Sequence, residues 1–291
     1  MHLTSFLKYL EFEKRYSPHT VESYRNDIQQ FQDFLQKQFE TNEWADVTPG
    51  MVRSWMVSLA ESGRANRSIN RKISALQTFV KYLMRRGFLA KNPLRKVVAP
   101  KVGKRLPVYV QESQMESLLD VMKFSEDFAG VRDRLIIELF YTTGMRRSEL
   151  VALQDQDIDL EKLTVKVMGK GSKERIIPIG PGLRELILRY RKLRDEIANN
   201  GQCWVTESGK PIYPKLIYNI VNKYLSMVST LEKKSPHVLR HSFATHLANE
   251  GAELNAIKEL LGHANLSATQ VYTHNSIEQL RKVYEAAHPK S

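Results

Sequence analysis

The chain has 291 residues, 42% of them hydrophobic, which is enough core for one large domain or two ordinary ones; its one cysteine, Cys203, excludes internal disulfides and cysteine-rich metal sites and suits a reducing cytoplasm. No stretch approaches the run of about 18 apolar residues that a membrane helix requires, and the opening MHLTSFLKYLEFEKRYS has acids in its apolar run and no cleavage site, so neither an anchor nor a signal peptide is expected. The net charge of +12 points to a polyanionic partner, and it is unevenly spread: Ser62 to Arg105 holds thirteen Lys or Arg and no acid.

The first block reads as all-helical. SPHTVESYRNDIQQFQDFLQKQF opens with Ser17 as N-cap and Pro18 at the first helical position, then sets Val21, Tyr24, Ile28, Phe31 and Leu35 at helical spacing. TPGMVRSWMVSLAESG is a shorter helix with Gly63 as its stop. NRSINRKISALQTFVKYLMRRG lines Ile69, Ile73, Leu76, Val80 and Leu83 along one face and ends at Gly87. Arg67 and Arg71 lie four apart on that helix with Lys72 beside them, a basic face suited to a duplex. The segment VVAPKVGKRLP combines two prolines, a glycine and three basic residues without periodicity. It divides the chain into a DNA-binding helical domain over 1–97, a linker over 98–107 and a second domain over 108–291.

The second block is mixed but mostly helical. VRDRLIIELFYTTG is an apolar helix stopped by Gly144. LTVKVMGKGSKERIIPIG is a β-hairpin, two runs rich in Val, Ile and Thr around a Gly-Lys-Gly-Ser turn. It is no P-loop, because Thr164 stands where that motif needs its first glycine and no helix follows the turn. PGLRELILRYRKLRDEIANNG is an amphipathic helix, and further helices run to the C-terminus.

Four short stretches carry groups suited to a phosphate. TTGMRRSEL fixes Arg146 on a glycine turn at a helix entry, where a guanidinium offers a planar fork of donors. The hairpin turn presents Lys170 between two glycines, with Lys173 following. SPHVLRHSFATHLANEG starts a helix with Ser235 as N-cap and places His237 and Arg240 on one face near the positive end of the helix dipole. His237 and His241 have metal spacing, but Val238 stands where a zincin helix needs Glu, so no metal is expected. LLGHANLSATQVYTH ends a helix at Gly262, sets His263 in the turn and carries Tyr272, one of twelve tyrosines. Each signal alone has an ordinary explanation as a capping, turn or core residue.

In this order the four stretches resemble the tyrosine recombinase (phage integrase) family, closest to its Xer-type site-specific recombinases, and the likeness covers essentially the whole chain. The resemblance implies a mainly α protein: a helical, SAM-like core-binding domain followed by a mostly helical catalytic domain with a small antiparallel sheet, together a C-shaped clamp. It implies DNA cleavage and rejoining through a 3′-phosphotyrosyl link, with chromosome or plasmid dimer resolution as the use; a mobile-element integrase and a catalytically silent DNA-binding regulator are the alternatives. Arg146 and Arg240 would clamp the phosphate oxygens, Lys170 would protonate the leaving 5′-oxygen, and His237 would handle the nucleophile's proton. His263 would donate to the phosphate, Tyr272 would attack, and Glu149 would support the site. Lys173 and Arg175 are expected to contact the DNA backbone, as are Arg67, Arg71 and Lys72. No cofactor is implied, since transesterification keeps the phosphodiester's energy in the covalent link. The implied partners are a duplex recombination site, a homo- or hetero-tetramer of recombinases and a septal FtsK-type DNA translocase. The C-terminal helix, expected to open near Ser276, would dock into a neighbouring protomer.

Overall fold

The computed structural model describes residues 2–103, 108–169, 174–198, 201–262 and 274–288, and the side chains of all of these except 274–280. It divides into two compact units, Met1–Arg105 and Leu106–Ser291, each with its own hydrophobic core.

The first unit is built from α1 (His2–Lys8), α2 (Pro18–Phe39), α3 (Pro49–Glu61) and α4 (Asn66–Arg85). Ser17 caps α2 by accepting from the Thr20 N–H at 3.3 Å, and Thr48 caps α3 by accepting from Met51 at 3.3 Å. In both helices Pro follows the cap, where its missing N–H costs nothing. The apolar stripes turn inward as their spacing requires: Ile28, Phe31 and Leu35 of α2 and Ile69, Ile73, Leu76, Val80 and Leu83 of α4 are buried. Phe31 packs against Trp44 and Trp55 with ring centroids 5.7 and 4.9 Å away, joining α2 to the chain before and within α3.

One expectation for this unit is corrected. Lys72 is only 5% exposed: its Nζ donates to Asp27 Oδ1 at 2.8 Å and Gln30 Oε1 at 2.5 Å, so it ties α4 to α2 and is not offered to a duplex. Arg71 also grips Asp27, but its side chain keeps half its surface in solvent, and Arg67 is exposed. The stretch expected to form the linker touches this unit at its start. The Asn66 and Asn70 side-chain amides donate to the Lys101 and Pro100 carbonyls, both at 2.9 Å, and lay that stretch along α4.

The second unit runs α5 (Glu112–Glu116), α6 (Phe128–Thr143), α7 (Arg147–Ala152), β1 (Ile158–Asp159), β2 (Thr164–Met168), β3 (Glu174–Pro178), α8 (Pro181–Ile197), α9 (Pro214–Val228), α10 (Pro236–Asn249), α11 (Leu254–Leu261) and α12 (His274–Ala287). Helix α6 is buried on nearly every side and packs against α8, α9 and α10, which makes it the axis of the unit. The sheet is antiparallel in the order β1-β2-β3, with Val165 opposite Ile177 and Val167 opposite Arg175. The protein is thus mainly helical with one small antiparallel sheet, as expected.

Helix α12 starts at His274, two residues before the expected opening, and in this single chain it packs on its own unit, against α10, α11 and β3. Its last turn is sealed in: Tyr284, Ala287 and His288 are buried, and His288 Nε2 donates to the Tyr141 carbonyl at 3.1 Å.

Candidate active site

The segment TTGMRRSE shows how local chemistry aims a guanidinium. Near the end of α6, Thr142 and Thr143 turn their hydroxyls back to the Glu138 and Leu139 carbonyls, which occupies them inside the helix. Gly144 then leaves the helix with φ +58°, its N–H closing on the Phe140 carbonyl. A Cβ here would fall 2.5 Å from the Phe243 ring, so both conformation and space call for glycine. The turn delivers Arg146 to the N-cap position of α7. Glu149, three residues on, reaches back and accepts from the Arg146 N–H at 2.7 Å and from its Nη1 at 2.6 Å.

Helix α10 supplies Arg240 and His237. Ser235 takes the N-cap position with extended backbone, but its side chain makes no capping bond. Arg240 is buried, with Nη1 on the Gly144 carbonyl at 2.5 Å and Nη2 on the Leu261 carbonyl at 2.7 Å. It therefore bridges the α6–α7 turn to the end of α11.

The third guanidinium comes from the sheet. The alternation of β3 points Arg175 to the buried side, level with Val167, and it is only 3% exposed. Its Nη1 and Nη2 donate to the two Glu149 oxygens at 2.9 and 2.8 Å, and its Nε donates to the Leu260 carbonyl at 2.7 Å. The expected DNA-backbone contact for Arg175 is corrected by this burial: the fork is spent inside the protein.

Three successive carbonyls at the C-terminus of α11 are thus taken by three arginines: Leu260 by Arg175, Leu261 by Arg240 and Gly262 by Arg146 at 3.3 Å. These carbonyls have no partner within the helix and carry its negative dipole end, so cations belong there. Gly262 itself holds φ +64°.

The electrostatics are lopsided. Among the described residues, Glu149 is the one carboxylate bonded to this cluster. Burial alone would raise its pKa, but the hydrogen bonds and charge of Arg175, with those of Arg146, outweigh it and hold the group at about 2. Three guanidiniums against one carboxylate leave two positive charges in a largely desolvated place. The strain shows on Arg240: desolvation first, then Arg146 and Arg175, lower its pKa to about 10, still cationic at neutral pH. His237 reaches solvent from the first turn of α10. Desolvation, then the charges of Arg147, Arg240 and Arg146, depress its pKa, so the imidazole is neutral at pH 7 and free to accept a proton. Chemically, the arrangement is a partly buried anion cradle with a neutral imidazole at its rim.

Of the expected site residues, the structure brings Arg146, Arg240 and His237 together. Lys170, Lys173, His263 and Tyr272 lie outside the described residues. Sequence reading missed that Arg175 belongs to this cluster. The signal was available in the hairpin's period of two, which puts a charged residue on the same face as Ile177.

Two family models match the chain: the phage integrase family over residues 109–279, and the phage integrase N-terminal SAM-like domain over residues 3–87. It is 40% identical to the tyrosine recombinase XerC of Bacillus licheniformis over 99% of this chain and 96% of that one. It is 39% identical to that of Bacillus subtilis over 98% and 95%. The chain belongs to the phage integrase family of tyrosine recombinases. Its fold is also that of the XerH site-specific recombinase in its pre-cleavage complex with difH, at TM-score 0.70 and 24% identity over 96% of this chain and 82% of that one. The Tn1549 transposon integrase in complex with circular intermediate DNA gives TM-score 0.71 at 21% identity, over 96% and 98%. As a member of this family the chain is a site-specific recombinase, an enzyme that cleaves and rejoins DNA through a phosphotyrosine intermediate.

Proposed function

We propose that this recombinase resolves chromosome or plasmid dimers, and that Arg146, Arg240, His237, Lys170, His263 and Tyr272 carry its chemistry. The observation that supports the site is the pair Arg146 and Arg240, held by the last carbonyls of α11 in a cluster with surplus positive charge. That helix end leads directly to His263 and, nine residues later, to Tyr272. The Tyr272 oxygen attacks the scissile phosphorus as the bond to the 5′-oxygen breaks. The tyrosine proton leaves by way of His237, and Lys170 gives a proton to the departing 5′-oxygen, which becomes the 5′-hydroxyl. Arg146 and Arg240, with His263, take up charge on the non-bridging oxygens, so positioning and fixed charge do the work without a cofactor. Glu149 does not react; it fixes Arg146.

Dimer resolution is favoured over mobile-element integration by the 39% and 40% identity to XerC proteins over nearly the full length of both chains. On this reading the chain works in the cytoplasm on a duplex site, in a tetramer of one or two recombinases, under a septal FtsK-type translocase. Residues 1–97 form the DNA-gripping domain, with Arg67 and Arg71 on the duplex, and Lys173 meets the backbone beside Lys170.

The test uses a nicked duplex carrying a site selected from random sequence by binding to the protein. The wild-type chain is expected to form a denaturation-resistant covalent complex on it, and Tyr272→Phe to bind the duplex but form none. An adduct that persists in the phenylalanine variant would remove Tyr272 from the role of nucleophile.

A further inference from the structure

We propose that Arg175 is a positioning residue of the cleavage reaction, a side chain that sets Arg146, the hairpin and the end of α11 in register. The inference rests on the recombinase site proposed above and assigns within it a residue that touches no DNA.

Three observations converge on this side chain. First, its bidentate grip saturates Glu149. With the two bonds from Arg146, each carboxylate oxygen accepts two hydrogen bonds, which leaves the carboxylate one position it can occupy. The placement of the Arg146 guanidinium is therefore inherited from Arg175. Second, Nε holds the Leu260 carbonyl, three residues before His263. The guanidinium also underlies the Gly262 turn, where a Cβ would fall 3.1 Å from its Nη1 and Cδ. Third, Arg175 is the second residue of β3, two positions past the segment 170–173 that carries Lys170, and is fixed opposite Val167 by the ladder. One rigid planar group thus joins the Glu149 that holds Arg146 to the end of α11, from a strand position two residues past 170–173.

Lysine cannot replace this fork. An ammonium keeps the charge but offers no planar pair of donors to Glu149 while also reaching the Leu260 carbonyl. Catalysis by positioning is sensitive to displacements near 1 Å, so loss of the fork costs reaction rate far more than DNA affinity.

The experiment measures duplex binding and single-turnover covalent-complex formation on the nicked duplex described above, for the full-length chain and for Arg175→Lys, Glu149→Gln and the double variant, with melting followed in parallel. Arg175→Lys is expected to keep the Kd within about twofold while adduct formation slows on the order of 100-fold. The double variant should be no slower than the worse single one, because both changes act through the placement of Arg146. Adduct formation near the wild-type rate overturns the proposal, as does a parallel loss of binding and cleavage, or multiplication of the two single effects in the double variant. If the Arg175 variants do not fold at the assay temperature, Glu149→Asp carries the decision. Its carboxylate, drawn back by one methylene, keeps the charge but cannot span both guanidiniums, so slow cleavage with intact binding supports the proposal and wild-type cleavage overturns it. Absence of any adduct with the wild-type chain would instead remove the recombinase site on which the proposal rests.

Discussion

Both oxygens of Glu149 are fully subscribed, one pair of bonds from Arg146 and one from Arg175, and the side chain is buried. A carboxylate in that position is held ionised, with its pKa at about 2, against about 4.3 for an exposed glutamate. The sign follows directly. A group whose pKa is depressed by folding adds stability above its unfolded pKa, and that contribution fades as pH falls toward the folded value. Glu149→Gln leaves the buried Arg175 guanidinium and the half-buried Arg146 without their counter-charge and should cost about 3 kcal/mol at pH 7. Urea unfolding at pH 7 and pH 3 checks this. The gap between wild type and variant should be full at pH 7 and clearly smaller at pH 3; an equal gap at both would mean that Glu149 acts through shape rather than charge.

Between elements, one acidic residue plays a comparable part in the first unit. Asp27 of α2 is 1% exposed and faces Lys72 and Arg71 of α4, so its loss would strand the buried Lys72 ammonium. Asp27→Asn is expected to cost about 3 kcal/mol. Trp44 and Trp55, two of the three tryptophans, sit in this core and report its unfolding by fluorescence. A change below roughly 0.5 kcal/mol, the ordinary size for a surface substitution, would place the pair outside the unit's stability. Lys72 also shows where sequence reading stopped. The apolar stripe of α4, the caps of α2 and α3 and the glycine stops were legible because they depend on neighbours within one or two turns. Whether a basic residue beside that stripe faces water or an acid 45 positions earlier depends on how α2 lies on α4, which no local pattern encodes. The same holds for the site. Arg146, His237 and Arg240 could be picked out by motif, whereas Arg175 found its partners 26 and 85 positions away, across sheet and helix.

Across the whole molecule, a net charge of +12 supports binding to any duplex before it supports recognition of one site. Each side chain that displaces a counterion from a phosphate adds about 0.9 to the slope of log affinity against log salt. The fold sorts the basic residues of α4 into those that can do so and those that cannot. Arg67 is exposed and Arg71 keeps half its surface in solvent while gripping Asp27, but Lys72 is enclosed. Arg67→Ala and Arg71→Ala are each expected to weaken binding to duplexes of any sequence and to lower the salt slope by about 1. Lys72→Met should leave the slope unchanged, because its charge is already neutralised by Asp27 inside the protein. Fluorescence anisotropy on one duplex over a series of salt concentrations separates the two groups. A reduced slope for Lys72→Met, with the variant still folded, would show that this lysine reaches DNA after all. Unchanged slopes for both arginines would move the duplex-binding face off α4.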